Sequence, residues 1–128
     1  ALKRSLLLLI QAVRYEATGP LREVSVCHCG QCRKWHGHAG AYTAVDRPRL
    51  KLTEQRGLSW FRSSDFAQRG FCRECGSSLF WQHDKAGHTS IAAGTLDGPT
   101  RVKTTKHIYV GHKGDYYEIA DGLPQNQR

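Results

Sequence analysis

Residues 27–34 read Cys-His-Cys-Gly-Gln-Cys-Arg-Lys, and this stretch decides how the chain folds and what it can bind. Three cysteines fall within six residues: Cys27, Cys29 and Cys32. Their thiolates can meet at one ion only where the backbone turns tightly, and Gly30 supplies such a turn. Zinc takes thiolates tetrahedrally, and three close protein ligands without an obvious fourth are typical of an open, catalytic site. The stretch therefore predicts a zinc loop.

A second cysteine pair, Cys72 and Cys75, is followed directly by Gly76. This order is typical of a metal knuckle, in which the glycine takes a backbone conformation that other residues resist. Spacing alone slightly favours one closed four-cysteine ribbon site built from the two Cys-x-x-Cys pairs, with Cys27 spare. A thioredoxin-type redox role for the first pair is less favoured, because that chemistry needs a helix N-terminus in a βαβ unit.

Length and composition predict a single domain over residues 1–128. A chain of this size can bury its own core, so zinc is expected to shape a site rather than replace a core. Five cysteines cannot all pair with one another, and their tight spacing suits a metal in a reducing compartment. No apolar run approaches the ~18–20 residues of a membrane span, and the run at residues 6–10 is shorter than a signal-peptide core. We therefore expect a cytoplasmic protein without a membrane partner.

The charge balance is basic, with 19 Lys and Arg against 11 Asp and Glu and a net charge of +8. Such an excess attracts anions, including nucleic acid and small anionic thiols. The basic residues are dispersed, which favours a solvated surface over a binding stripe. Trp35 beside Lys34 is nevertheless compatible with base stacking, so a non-enzymatic module for nucleic acid or protein stays open as the alternative function.

The spacing of apolar and turn residues predicts a mainly β protein built of several small sheets. No window of 11 or more residues has clean helical periodicity, so we expect at most a turn after Cys32. The predicted strands cover residues 6–15, 21–26, 41–45, 58–62, 66–71, 78–82, 89–93, 107–110 and 116–119, with 58–62 and 66–71 forming a hairpin.

Motifs along most of the chain resemble those of one known family. The loop at 27–34, with Gly37 after it, resembles the family's zinc loop, and residues 69–80 resemble its second cysteine signature. Further matching segments are Ala-Val-Arg-Tyr-Glu at 12–16, Arg-Ser-Ser at 62–64, Gly-Thr-Leu-Asp at 94–97, His-Ile at 107–108 and Asp-Gly-Leu-Pro at 121–124. Over residues 12–124 the chain is therefore similar to the glutathione-dependent formaldehyde-activating enzyme and centromere protein V family.

The resemblance implies a fold of several small coiled antiparallel sheets with zinc-binding loops, as in a zinc-binding accessory factor of Rab GTPases. It implies an open, catalytic zinc site on Cys27, Cys29 and Cys32, in place of the ribbon that spacing favours. It also implies that Cys72 and Cys75 contribute half of a separate structural metal site. The implied reaction condenses formaldehyde with glutathione, as by S-(hydroxymethyl)glutathione synthase, a carbon–sulfur lyase.

One segment departs from the family pattern. Two family cysteines that precede the 12–16 strand are replaced by Leu8 and Ile10, and the glycine after them by Gln11. We expect these two apolar side chains to fill the lost metal site, each stabilising the fold by up to ~1.5–3 kcal/mol if fully buried. The expected content is one zinc per chain, with the second cysteine pair free, in a labile disulfide or partly occupied. A family member that keeps the fold and has lost the activity is a further alternative.

Three residues next to the loop are assigned to the substrate. Arg33 and Lys34 are expected to attract the carboxylates of glutathione, and His36 is expected to move protons. His28 is expected to point away from the neighbouring sulfurs, because successive side chains of an extended segment lie on opposite sides.

Overall fold

The computed structural model describes residues 11–128 and, for the backbone alone, residues 4–5. Within these residues lie ten strands and one short α-helix. In chain order they are β1 (Arg4–Ser5), β2 (Arg14–Ala17), β3 (Val24–Cys27), α1 (Gly30–His36), β4 (Gly40–Asp46), β5 (Leu50–Glu54), β6 (Leu58–Arg62), β7 (Ala67–Cys72), β8 (Ser78–His83), β9 (His88–Ala92) and β10 (Thr104–Ile108).

The strands form two sheets, which confirms the mainly β prediction. A three-stranded sheet has the order β1-β2-β5, and a seven-stranded sheet has the order β10-β3-β4-β9-β8-β7-β6. Neighbouring strands are antiparallel except β3 and β10, which run parallel with Ile108 opposite Cys27. This parallel pair brings the C-terminal part of the chain beside the predicted zinc loop.

The apolar core joins the two sheets. Tyr15 of β2 packs edge-on against Phe80 of β8, with ring centroids 5.4 Å apart. Both side chains are fully buried, as is Ile91 of β9. Because side chains alternate along a strand, the neighbours Trp81 and Ser90 lie on the opposite face of the large sheet, where they line a cavity. One face of this sheet therefore holds the core, and the other holds the cavity.

Several predicted elements need correction. The strand predicted at 116–119 is wrong, since residues 117–120 have no regular structure. The Tyr117 hydroxyl instead contacts His28, and its backbone oxygen accepts a hydrogen bond from the Lys113 side chain. Helix α1 is longer than the predicted turn and begins before Cys32, and β5 was not predicted. Each is only five to seven residues long, so periodicity is a weak signal there. Residues 6–10 of the strand predicted at 6–15 lie outside the described part of the chain. The prediction that Leu8 and Ile10 fill the lost metal site therefore also concerns residues outside it.

No helix in the described ranges combines the length and the apolar character that a membrane crossing requires.

Candidate thiol and metal site

Helix α1 brings the first cysteine cluster together. Cys29 is the N-cap residue, and its sulfur accepts a hydrogen bond from the backbone N–H of Cys32 at 3.3 Å. The helix ends at Gly37, which has a φ of 76° and donates its N–H to Arg33 at 2.8 Å; a glycine suits this left-handed position. The N-cap hydrogen bond of Cys29 therefore folds the loop back on itself, and Gly30 needs no left-handed conformation.

The sulfur atoms of Cys27, Cys29 and Cys32 all lie within 4.8 Å of one another. Tetrahedral zinc with Zn–S bonds of 2.3 Å places its sulfurs ~3.8 Å apart. The upper limit of 4.8 Å between the three sulfurs exceeds this spacing by only about 1 Å. Thiolates are ligands that zinc prefers, so the donor set fits a zinc ion with one position left for another ligand.

Cys32 is the thiolate of the cluster when no metal is bound. It is 5% exposed. A hydrogen bond from the Cys27 thiol and the adjacent Arg69 together lower the pKa of Cys32 to about 6, against the opposing effect of burial. The same hydrogen bond raises the pKa of Cys27, which keeps its proton. The cluster therefore holds negative charge even before an ion arrives.

Arg69 of β7 supplies the counter-charge. Its side chain is 2% exposed, and no carboxylate of the described residues lies within ion-pair distance of it. Its Nη2 donates to the Cys32 sulfur at 3.6 Å and to Gln31 at 2.9 Å, while Nη1 donates to the Tyr42 hydroxyl at 3.2 Å. A buried charge without an anionic partner is costly, so the thiolate cluster is the natural partner of this guanidinium.

Tyr42 links this arginine to His36. Nε2 of His36 lies 2.6 Å from the Tyr42 hydroxyl. Burial raises the pKa of Tyr42 to about 12, which keeps the phenol protonated. Burial and the charge of Arg69 lower the pKa of His36, which favours its neutral form. A continuous polar chain thus runs from Cys32 through Arg69 and Tyr42 to His36.

A second polar chain lies behind the loop. His28, between two cysteines of the cluster, is 3% exposed, and its Nε2 lies 2.8 Å from Nδ1 of His107. Nε2 of His107 lies 2.7 Å from the Asp121 carboxylate, and Nδ1 of His28 lies 2.5 Å from the Tyr117 hydroxyl. Two neutral imidazoles satisfy every contact if His107 donates to Asp121, His28 to His107 and Tyr117 to His28. This chain ties the loop to the C-terminal segment.

A cavity of about 540 Å³ opens onto the cysteine cluster. Its described lining residues include no Asp or Glu, although they include four basic side chains. These are Arg22, Arg69, His83 and His88. Aromatic and aliphatic surface comes from Phe66, Trp81, Ile108 and Tyr109. A cavity of this size, mostly apolar with the two guanidinium groups of Arg22 and Arg69, suits a small anionic ligand.

The predicted substrate residues lie in different places. Arg33 and Lys34 do not line this cavity: Arg33 packs beside Gly114, on the C-terminal segment, and Lys34 is exposed. His36 lies behind Tyr42, which does line it. Proximity to the loop in sequence was misleading here, because consecutive side chains of a helix point about 100° apart. Gln31, before Cys32, lines the cavity, whereas Arg33 and Lys34, after it, do not.

The second cysteine pair lies elsewhere, at the β7–β8 turn. Gly76 takes a φ of 82°, as the sequence predicts for a knuckle. Cys72 is fully buried in the core and Cys75 is half-buried against it. Among the described residues, neither cysteine belongs to a group of three or more metal-binding side chains whose ligand atoms lie close enough to share an ion. The described residues therefore do not join the two pairs in a ribbon site.

Five residues of the site were not assigned by sequence reasoning: Arg22, Tyr42, Arg69, His107 and Asp121. The last three lie in motifs that carry the family resemblance, which was a signal that they matter but gave them no role. Arg22 lies in no such motif, and only the cavity reveals it.

Comparisons with known proteins agree with the family resemblance and with the fold. The profile of the glutathione-dependent formaldehyde-activating enzyme family matches residues 9–112. An uncharacterized lyase of Schizosaccharomyces pombe is 26% identical over 115 residues, which are 88% of this chain and 82% of that protein. A crystal structure of a Rhodobacter sphaeroides protein matches with a TM-score of 0.59 and 19% identity, over 79% of this chain and 99% of that one. At that identity the structural likeness concerns the fold alone.

Proposed function

The chain belongs to the glutathione-dependent formaldehyde-activating enzyme family, and from this premise we propose that it joins glutathione, or a similar anionic thiol, to formaldehyde. The product is the S-hydroxymethyl adduct: the thiol sulfur bonds to the aldehyde carbon, the C=O π bond opens, and the thiol proton ends on the oxygen. The reverse reaction cleaves a carbon–sulfur bond, which is lyase chemistry. The S. pombe relative carries the name of a lyase.

One observation carries the proposal: a single cavity contains three convergent cysteine sulfurs and, among its described lining residues, basic side chains but no carboxylate. Cys27, Cys29 and Cys32 would hold the zinc, which when bound supplies a Lewis acid that keeps an incoming thiol in its thiolate form. Arg69 offsets the negative charge that the cysteines and the substrate sulfur bring together. The apolar walls exclude water from the reacting atoms.

We assign the proton transfer to Tyr42 and His36. Tyr42 lines the cavity, and its hydroxyl is held by Arg69 on one side and by His36 on the other. In this role Tyr42 donates a proton to the aldehyde oxygen as negative charge develops there. Neutral His36 takes up from solvent a proton equivalent to the one that the thiol releases and passes it from Nε2 to the Tyr42 oxygen. His36 thus keeps the proton-moving role that the sequence predicted, but acts through Tyr42.

We propose that the protein holds one zinc per chain and that Cys72 and Cys75 are free thiols. Support comes from ligand number, because a structural zinc normally needs four protein ligands. Among the described residues, no group of three metal-binding side chains includes Cys72 or Cys75.

The reaction is tested by exchange NMR, which measures how fast glutathione and formaldehyde interconvert with S-hydroxymethylglutathione. Zinc-loaded protein is expected to raise this rate above the spontaneous one in proportion to its concentration. Removal of zinc, or Cys32→Ser, is expected to abolish the increase, whereas Cys75→Ser retains it. An exchange rate that zinc-loaded protein leaves unchanged rejects the proposed function.

A further inference from the structure

Arg22 lies where two cavities meet. It lines the cavity that contains the cysteine cluster and also a neighbouring cavity of about 270 Å³, together with His88. Its side chain is accessible, unlike that of Arg69. Arg22 is therefore a cation that a ligand of the first cavity can reach from within that cavity.

The Arg22 guanidinium is held in place on one side and free on the other. Its Nη2 donates to the backbone oxygen of Tyr42 at 2.9 Å and to Oγ of Ser25 at 3.2 Å, and its Nε donates to the backbone oxygen of Glu23 at 3.3 Å. Its Nη1 makes no hydrogen bond to a described residue, and no described carboxylate lies within ion-pair distance. A fixed cation with an unused donor is preorganised to bind an anion.

Strand β3 sets the distance between this donor and the cysteines. Ser25 and Cys27 are two residues apart on β3 and both line the cavity, so their side chains lie on one face. Two residues of a strand span ~6.6–6.8 Å. Because the guanidinium is hydrogen-bonded to Ser25, it lies about one two-residue span of a strand from the sulfur of Cys27.

A peptide thiol has a carboxylate at the matching distance. In glutathione the glycine carboxylate is six bonds from the sulfur, which is ~7 Å in an extended chain at ~3.5 Å per residue. We propose that Arg22 binds this glycine carboxylate and so selects peptide thiols over simple thiols that lack it. The assignment rests on the proposed function for the identity of the thiol, but it concerns a residue that the family resemblance does not include.

Asp46 limits how far the ligand extends. It lines the neighbouring cavity and lies opposite His88 in the β4–β9 register. A carboxylate that moved beyond Arg22 would meet this like charge, which disfavours it. The anionic end of the ligand is thus expected to stop at Arg22.

Calorimetric titration with S-methylglutathione tests the carboxylate contact apart from the reaction, because the probe keeps both carboxylates and its thiol is blocked. The zinc-loaded wild type is expected to bind it, and Arg22→Gln to bind it about 10- to 100-fold more weakly. Arg22→Lys, which keeps the charge, is expected to lose less. The exposed Arg101 lines neither cavity, so Arg101→Gln is expected to bind like the wild type. Thermal unfolding of each variant reports whether the fold is kept.

The glycine ethyl ester of the probe completes a double-mutant cycle. The ester is expected to bind the wild type as weakly as Arg22→Gln binds the acid, and Arg22→Gln is expected not to distinguish ester from acid. The proposal is overturned if the wild type binds no probe or if Arg22→Gln binds it like the wild type. It is also overturned if the losses in binding free energy from the ester and from Arg22→Gln are additive. Probe binding through Arg22 without any rate increase in the exchange experiment rejects the proposed function alone. A rate increase that Arg22→Gln leaves unchanged, together with unchanged probe binding, rejects this inference alone.

Discussion

Two cysteine clusters in this chain have the same Cys-x-x-Cys spacing but different surroundings. Cys29 and Cys32 lie at the start of a helix, with Cys27 close by and a buried arginine beside them. Cys72 and Cys75 lie in a hairpin turn whose inner side packs against the apolar core. The first pair opens onto a cavity lined by basic residues, and the second pair has no third metal-binding side chain beside it among the described residues.

This difference shows that spacing decides whether two sulfurs can share an ion, but the environment decides whether they do so and with what chemistry. A third donor and a counter-charge favour a metal site at the first pair. Burial against apolar side chains, without a third donor among the described residues, disfavours a metal site at the second pair. The predictions below change one cluster while leaving the other as a control.

The largest effect is expected on zinc content. Wild-type protein should contain one zinc per chain by elemental mass spectrometry. Cys32→Ser should weaken zinc binding by more than ~100-fold, because even indirect partners of a metal ligand contribute 10–100-fold. Cys75→Ser should keep the single zinc. Two fully occupied zincs in the wild type, or loss of zinc in Cys75→Ser, would contradict the contrast between the clusters.

Arg69 is expected to have the next largest effect. Arg69→Gln removes the buried positive charge beside the thiolates and should lower zinc affinity by ~10–100-fold, as measured by competition with a chromogenic chelator. Arg69→Lys keeps a positive charge but not the forked hydrogen bonds of the guanidinium, so it should lose less zinc affinity than Arg69→Gln. Arg73 is exposed and lies between the cysteines of the second pair, so Arg73→Gln is the matched control. Equal zinc affinity in Arg69→Gln and the control would refute the counter-charge role.

The polar chain behind the loop gives a third, smaller effect. His107→Phe leaves the buried Nε2 of His28 without its partner, which should lower the free energy of unfolding by ~1–3 kcal/mol. His112 is exposed, so His112→Phe should change little. Denaturant titration of both zinc-loaded variants measures the difference. A loss no larger than that of the control would mean that the C-terminal segment does not support the loop.

The smallest effect concerns pH. Burial and Arg69 lower the pKa of His36, whose ring also contacts the Tyr42 hydroxyl. The unfolded chain, with an ordinary histidine pKa of ~6.5, therefore binds this proton more readily than the folded one. The contribution of His36 to the free energy of unfolding is fully present above pH ~6.5 and is lost as the pH falls through the pKa of His36 in the folded protein. His36→Gln should make the unfolding free energy less dependent on pH below ~6.5. Unchanged dependence between the two proteins would show that His36 contributes nothing in this range.

Much of the strand pattern could be predicted from the sequence, because alternation and turn residues are local signals. The hairpin formed by β6 and β7 lies within a residue of its predicted bounds. Helix α1 escaped prediction because seven residues hold fewer than two turns of periodicity. The prediction of a strand at 116–119 was wrong because its two tyrosines bond to histidines that are distant in the sequence. Such long-range contacts leave no local pattern.

The sequence by itself determined the residue types of the site: three cysteines within six residues, close enough along the chain that local folding brings their sulfurs together. Only the tertiary structure decided which cations accompany them. Arg33 and Lys34 are nearest in sequence, but the helix turns them away from the cavity, while Arg69 arrives from β7, some 40 residues on, and Arg22 from before β3. Sheet pairing sets these positions, and pairing between distant strands depends on the packing of the whole core.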